Sequence, residues 1–178
     1  MSSYKQNNYD LVFESLVCTI RPKKIVEIGI LDGFSLEAMA RAATRDCFLY
    51  GYDLFDDYKY KHARLNNIKN KFSKYKNVII KKADYGNIYK LHTDDSIDIL
   101  HIDISNTGDT YQFFLDKYIS KISQGGIAIL EGGSKERDEY EWMKKFNFNK
   151  IRPIINKIST KYDTHVLEPF PSLTIIKK

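Results

Sequence analysis

The sequence predicts an α/β fold with a mostly parallel sheet between helices. Three observations carry this reading. Short apolar runs of strand length alternate with stretches of helical periodicity along the 178 residues. The first apolar run breaks at a glycine turn that opens directly into a helix. Four of the first five predicted strands end in or beside a carboxylate, and strand one contains one.

Residues 8–20 place Tyr9, Val12, Phe13, Leu16 and Ile20 at helical spacing, and Pro22 ends that helix. Ile25–Ile28 is a short apolar strand broken by Gly29. After Gly33, Leu36, Met39, Ala40 and Ala43 mark a second helix, and Phe48–Asp53 reads as strand two. Residues 58–75 form a helix with Leu65, Ile68, Phe72 and Tyr75 inward. Val78–Ile80 is strand three and Ile97–Ile102 strand four. Tyr111, Phe114, Leu115, Tyr118, Ile119 and Ile122 give residues 108–122 the cleanest helical stripe. Gly125 and Gly126 make the turn into strand five, Ile127–Leu130. A polar helix follows over 135–146, then one opened by Pro153 and ending near Tyr162. His165–Leu167 and Leu173–Ile176 close the chain as a hairpin joined through Pro169, Phe170 and Pro171. The count is seven strands, the last antiparallel, with helices on both faces of the sheet.

The length suits one domain spanning 1–178, with a core that needs no staples. Its parts are an N-terminal helix (1–22), a ligand-binding core (23–135), and C-terminal helices with a β-hairpin (136–178). Hydrophobic residues at 43% and charged residues at 29% exclude a disordered chain. No apolar run reaches the ~20 residues of a membrane span. The polar stretch Met1–Asp10 has no hydrophobic signal core, so the expected location is the cytoplasm. Cys18 and Cys47 are far apart and outside any CxxC pattern, which reads as two buried packing thiols. The net charge of +5 is uneven: residues 58–82 hold nine of the 28 basic residues and no acid. That segment is either a solvated helix face, the preferred reading, or a footprint for an anionic partner.

Ligands of open α/β sheets bind beyond the carboxyl ends of the strands, so those ends are where chemistry is expected. Glu27-Ile28-Gly29-Ile30-Leu31-Asp32-Gly33-Phe34-Ser35 brackets a turn with two glycines at a helix N-terminus. Its G-x-x-x-G-x-S spacing differs from the G-x-G-x-x-G of nicotinamide-binding turns. Asp53, 20 residues past Gly33, is placed for ribose hydroxyls, or else it or Asp56 caps the next helix. Ala83-Asp84 follow strand three, Asp103 follows strand four, and Glu131-Gly132-Gly133 follow strand five. Together they describe an acid-lined cleft for a cationic, ribose-bearing ligand.

Val26-Glu27-Ile28-Gly29 with Gly33 and Ser35 resembles the first motif of class I S-adenosylmethionine-dependent methyltransferases. The subgroup it resembles includes catechol-type and antibiotic-sugar O-methyltransferases. Gly51-Tyr52-Asp53, Ala83-Asp84, Leu100-His101-Ile102-Asp103 and Gly125–Leu130 are similar to the later motifs, in order, over about residues 20–135. The resemblance implies a Rossmann-like fold, S-adenosylmethionine as cofactor, and methylation of a small-molecule or sugar acceptor at oxygen. It places Glu27, Gly29, Gly33 and Ser35 at the methionyl part, Asp53 at the ribose, and Ala83, Asp84 and Tyr85 at the adenine. Asp103 would face the sulfonium beside the acceptor. It leads the candidate catalytic bases, with Asp109 and Glu131 behind it.

The chain departs from the pattern in two places. Metal-dependent relatives carry a third oxygen ligand where Gly132 stands, so no metal is expected, a weak site at Asp103 and Glu131 being the alternative. No histidine follows strand four, and His101 within the strand reads as a packed core residue. The loop 132–138 suits a substrate lid or a helix entry capped by Ser134. With no inserted domain over the acceptor, a homodimer is a candidate for completing the site. Tyr58, Tyr60, Phe72 and Tyr75 among the lysines leave nucleic acid as an alternative partner. A non-catalytic cofactor-binding protein is the third reading.

Overall fold

In the computed structural model, which describes residues 3–59, 63–168 and 171–178, one sheet organises the chain. Its strands are β1 (Lys24–Ile28), β2 (Phe48–Asp53), β3 (Val78–Lys82), β4 (Ile97–Ile102), β5 (Ile122–Glu131), β6 (Asp163–Leu167) and β7 (Leu173–Lys177). They lie in the order β3-β2-β1-β4-β5-β7-β6. All pairings among β1 to β5 are parallel, and β7 runs antiparallel to both β5 and β6. Strand order reverses between β1 and β4, and an open parallel sheet leaves a crevice at such a switch.

The central strands are apolar on both faces because both are covered. Ile25, Leu49, Ile99, Ile127 and Ile129 point to a layer with α2 (Tyr9–Ile20), α3 (Phe34–Ala42) and α4 (Leu65–Phe72), where Phe13, Leu36, Met39 and Phe72 are buried. Val26, Ile28, Leu100, Ile102, Ala128 and Leu130 point the other way, onto α6 (Gly108–Phe113) and α9 (Arg152–Ser159). Truncating a fully buried anchor such as Phe13 would cost on the order of 3–5 kcal/mol.

The remaining helices are one-turn pieces: α1 (Ser3–Gln6), α5 (Tyr85–Ile88), α7 (Lys135–Asp138) and α8 (Glu141–Lys145). The Thr107 side chain caps α6, which tightens and widens by turns: a π turn over Phe114–Tyr118, then a 3-10 turn over Ile119–Lys121. The π turn sets Tyr118 against Tyr85, rings stacked 5.0 Å apart and 4° from parallel, with the Tyr118 hydroxyl donating to the Tyr85 carbonyl.

Several boundaries differ from expectation. β5 begins at Ile122, so Gly125 and Gly126 lie inside the strand at an irregularity, not in a turn before it. Gly125 takes φ +78° there, and β4 regains its pairing beyond it at Ile127. Of the expected helix over 58–75, α4 accounts for Leu65–Phe72, and a 3-10 turn at Phe55–Asp57 lies earlier in the chain. Cys47 is buried as expected, whereas Cys18 is exposed on α2. Tyr60 falls outside the described residues, as do Pro169 and Phe170 of the hairpin connection. Helix 135–146 is divided into α7 and α8. Among the described residues no helix is long and apolar enough to cross a membrane.

Candidate functional site

A cleft of about 410 Å³ opens at the carboxyl ends of β1, β2 and β4, at the switch in strand order. Its lining includes Gly29, Asp53, Ala83, Asp84, Tyr85 and Asp103, six of the residues expected there. Leu31, Leu54, Phe55 and Ser105 complete much of the remaining wall. Leu54 and Phe55 carry no signal in the sequence, because each is an ordinary loop residue until the sheet brings the loops together.

Gly29 ends β1 where nothing larger fits. A Cβ there would lie 1.9 Å from the Asp103 carbonyl oxygen, and the residue takes φ +88°. The backbone of the first turn therefore packs on the backbone beyond β4. Asp53 ties the turn to the end of β2: Oδ2 accepts from the amide of Ile30 at 2.7 Å, and Oδ1 from that of Phe55 at 2.8 Å. Leu31 and Phe55, at φ +51° and +50°, take the left-handed backbone region on either side of that carboxylate. Asp84 caps α5 through Oδ1, which accepts from the Gly86 amide at 2.8 Å. Tyr85 is braced as well as lining: its hydroxyl donates to the Thr110 carbonyl at 3.1 Å, and burial pushes its pKa up.

Glu27, Gly33 and Ser35 stand behind this wall. Glu27 is fully buried, accepts from the Ser35 hydroxyl, and meets His101 Nδ1 at 2.9 Å. Gly33 lies under the Phe72 ring. His101 is the packed core histidine expected, with Phe13 edge-on to it at 4.8 Å. Beyond its Nε2 lies the hydroxyl of Tyr4, at 3.4 Å.

Tyr4 was not legible in the sequence, where the first ten residues read only as polar. The residue is 1% exposed, and its hydroxyl is among the groups that favour the charged form of Asp103. Asp103 consequently has protein on one side and the cleft on the other. Burial, with the Glu27 charge adding, pushes its carboxyl up to about 6 against the pull of His101, Tyr4 and Arg137.

The other two candidate bases do not line the cleft. Asp109 is exposed on the first turn of α6, accepting from the Asn149 amide at 2.8 Å. Glu131 is buried at the end of β5 in a two-pronged ion pair with Arg137. Burial pushes its carboxyl up to about 7, with Arg137 pulling the other way. The loop after it is not a free lid. Ser134 caps α7, as one reading expected, its amide is held by Ser172 Oγ at 3.0 Å, and Asp138 receives the Ile151 and Arg152 amides.

The basic segment reads as a surface. Lys71 and Lys74 pair with Glu37 and Lys82 with Asp57, while Phe72 is core.

Fold and site together define a Rossmann-like, S-adenosylmethionine-dependent methyltransferase. Residues 26–131 match the model of a family described as methyltransferase domain, and the chain belongs to that family. No curated protein matches the sequence. Among solved structures it is similar to an O-methyltransferase from Bacillus cereus in complex with S-adenosylhomocysteine (TM-score 0.74, 14% identity), covering 100% of this chain and 82% of that one. It is also similar to the O-methyltransferase TomG from Streptomyces achromogenes, involved in tomaymycin synthesis and solved with S-adenosylmethionine (TM-score 0.70, 14% identity, 99% and 81% covered). A methyltransferase from Geobacter sulfurreducens aligns at TM-score 0.67 and 15% identity over 98% of this chain and 83% of that one.

The residues present fit the cofactor this class uses. The cleft offers more apolar than polar wall, through Leu31, Leu54, Phe55 and Ala83, with carboxylates at separate points to accept from hydroxyl and amino groups. Asp53 spends one lone pair of Oδ1 on Phe55 and keeps another for an incoming donor.

Proposed function

We propose that this chain methylates an oxygen of a small-molecule or sugar acceptor, with Asp103 as the base that receives the acceptor's proton. The observation that carries the reading is the position of Asp103: it lines the cleft at the end of β4 and holds a pKa raised to about 6. A base poised near neutral pH suits proton removal from a hydroxyl.

Asp53 is assigned to the ribose hydroxyls, Asp84 to the adenine amino group, and Ala83 and Tyr85 to the adenine faces. Gly29 lets the turn approach the methionyl part. Glu27, Ser35 and Gly33 hold that turn and its helix from behind, a positioning role, since Glu27 and Ser35 are buried away from the cleft. When bound, S-adenosylmethionine supplies a methyl already activated on a sulfonium. The protein's own contribution is to orient the acceptor and take its proton. Asp109 is assigned no part in the chemistry, given its exposed hydrogen bond to Asn149.

A second copy of the chain is part of the same reading. After α8, Phe146 and Phe148 are exposed and their rings meet at 5.8 Å, an apolar pair that a second copy would cover.

The test is turnover of S-adenosylmethionine against a panel of phenols, catechols, sugars and amines, read as release of S-adenosylhomocysteine. Release with hydroxylated acceptors that falls at least a hundredfold in Asp103→Asn supports the proposal. Release only with amines, or an undiminished rate in that variant, overturns it.

A further inference from the structure

Arg137 is buried beside the end of β5, behind the wall of the cleft. Its guanidinium grips both oxygens of Glu131, Nη1 to Oε1 at 3.0 Å and Nη2 to Oε2 at 2.8 Å. Nη2 also donates to the Asn106 carbonyl at 3.1 Å. Trp142 covers the guanidinium, 4.8 Å from the ring centre. The side chain is 6% exposed, and its Nε is buried without a partner. This is a cation fixed inside the protein.

Gly132 is the other half of the arrangement. A Cβ at that position would lie 3.0 Å from Ile151 Cδ1 and 3.4 Å from Arg137 Cγ, on a backbone at φ +101°. A side chain at 132 would press on Ile151 and lie against the stem of Arg137, on a backbone that disfavours any residue but glycine. Asp103 and Glu131 remain, and the Arg137 guanidinium already sits on both oxygens of Glu131, so a second cation there would meet its charge. The residues present do not fit a divalent ion.

We infer that Arg137 is the resident cation beside Glu131 and Asp103, supplying the charge balance that a divalent ion would otherwise have to supply there, so that Asp103 is left to act as a base and not as a ligand. Arg137 acts through Glu131 and through its charge on Asp103, which makes it a positioning residue. The inference deepens the methyl-transfer proposal at the same site. Its test reads metal binding and stability, not turnover, so the two fail separately.

The experiment is Mn²⁺ titration, followed by electron paramagnetic resonance and by thermal melting, on the full chain. The variants are Arg137→Met, which keeps the stem over Gly132 and removes the charge, and the double variant Arg137→Met with Glu131→Gln. The wild-type chain should bind no Mn²⁺ at millimolar concentration, and its Tm should not move. Arg137→Met should melt lower, because Glu131 loses its counter-charge. Mn²⁺ should bind at least tenfold more tightly than to wild type and return part of the lost Tm. The double variant should regain stability without Mn²⁺ and bind none. Should Arg137→Met fold only when Mn²⁺ is supplied, the ion has replaced the guanidinium and the inference stands. Stoichiometric Mn²⁺ binding by wild type, lost in Glu131→Gln, would overturn it. So would an Arg137→Met chain that gains neither Mn²⁺ affinity nor stability from the ion, or that stays unfolded with Mn²⁺ while the double variant folds.

Discussion

Replacing Asp103 with asparagine should stabilise the protein while removing the proposed base. The carboxyl pKa is raised from 3.8 to about 6, mainly by burial. A folded-state value above the unfolded one means that the ionised carboxylate weakens the fold. The penalty is absent below the unfolded pKa, grows as pH rises, and is complete above about 6. A shift of about two units at 1.4 kcal/mol each gives about 3 kcal/mol, and solvent on the cleft side brings the expectation to about 1–3 kcal/mol. At about 2–4 °C per kcal/mol for a chain of this size, Asp103→Asn should raise the Tm by about 2–12 °C at pH 8. The gain should shrink through pH 6 and vanish near pH 4. Differential scanning calorimetry of both proteins across that range is the assay. A Tm at pH 8 equal to or below wild type, or a gain that persists at pH 4, would refute the argument from burial.

Two further outcomes follow from the same geometry. With a hydroxylated acceptor, log kcat/KM should fall with unit slope as pH drops below about 6, since only ionised Asp103 takes a proton; a pH profile flat to pH 5 would remove Asp103 from that role. Gly29→Ala should cost on the order of 3 kcal/mol or more, because its Cβ meets the Asp103 carbonyl at 1.9 Å on a backbone at φ +88°, and a wild-type melting curve would show that the turn is not packed as described.

The strands along the chain and their carboxyl ends were legible because apolar runs bounded by glycine and acid survive as local signals, whereas their order in the sheet was not. Phe48–Asp53 and Ile97–Ile102 match the expected strands residue for residue. The site divides differently. Asp53, Asp84 and Asp103 could be read from position alone, since a parallel sheet delivers strand ends to one edge. Glu27 and Ser35 belong to the same motif, yet strand alternation turns Glu27 into the layer beneath, where Ser35 and His101 meet it. Tyr4 and Arg137 left no local signal. One is a tyrosine in a polar terminus that becomes buried only against His101 and Phe13. The other is an arginine in a charged helix, and its partner Glu131 reaches it only through a loop that doubles back. The helix over 108–122 kept its stripe but not its winding, because placing Tyr118 under Tyr85 takes a π turn that periodicity does not encode.

The central claim is that the cleft at the ends of β1, β2 and β4 holds S-adenosylmethionine. Calorimetric titration with S-adenosylhomocysteine, beside NAD as control, tests it most directly. The account predicts one-site micromolar binding of S-adenosylhomocysteine, none of NAD, and a loss of about tenfold or more in Asp84→Ala, the worth of a hydrogen bond to a charged group. Absence of S-adenosylhomocysteine binding, or affinity unchanged in Asp84→Ala, would contradict it.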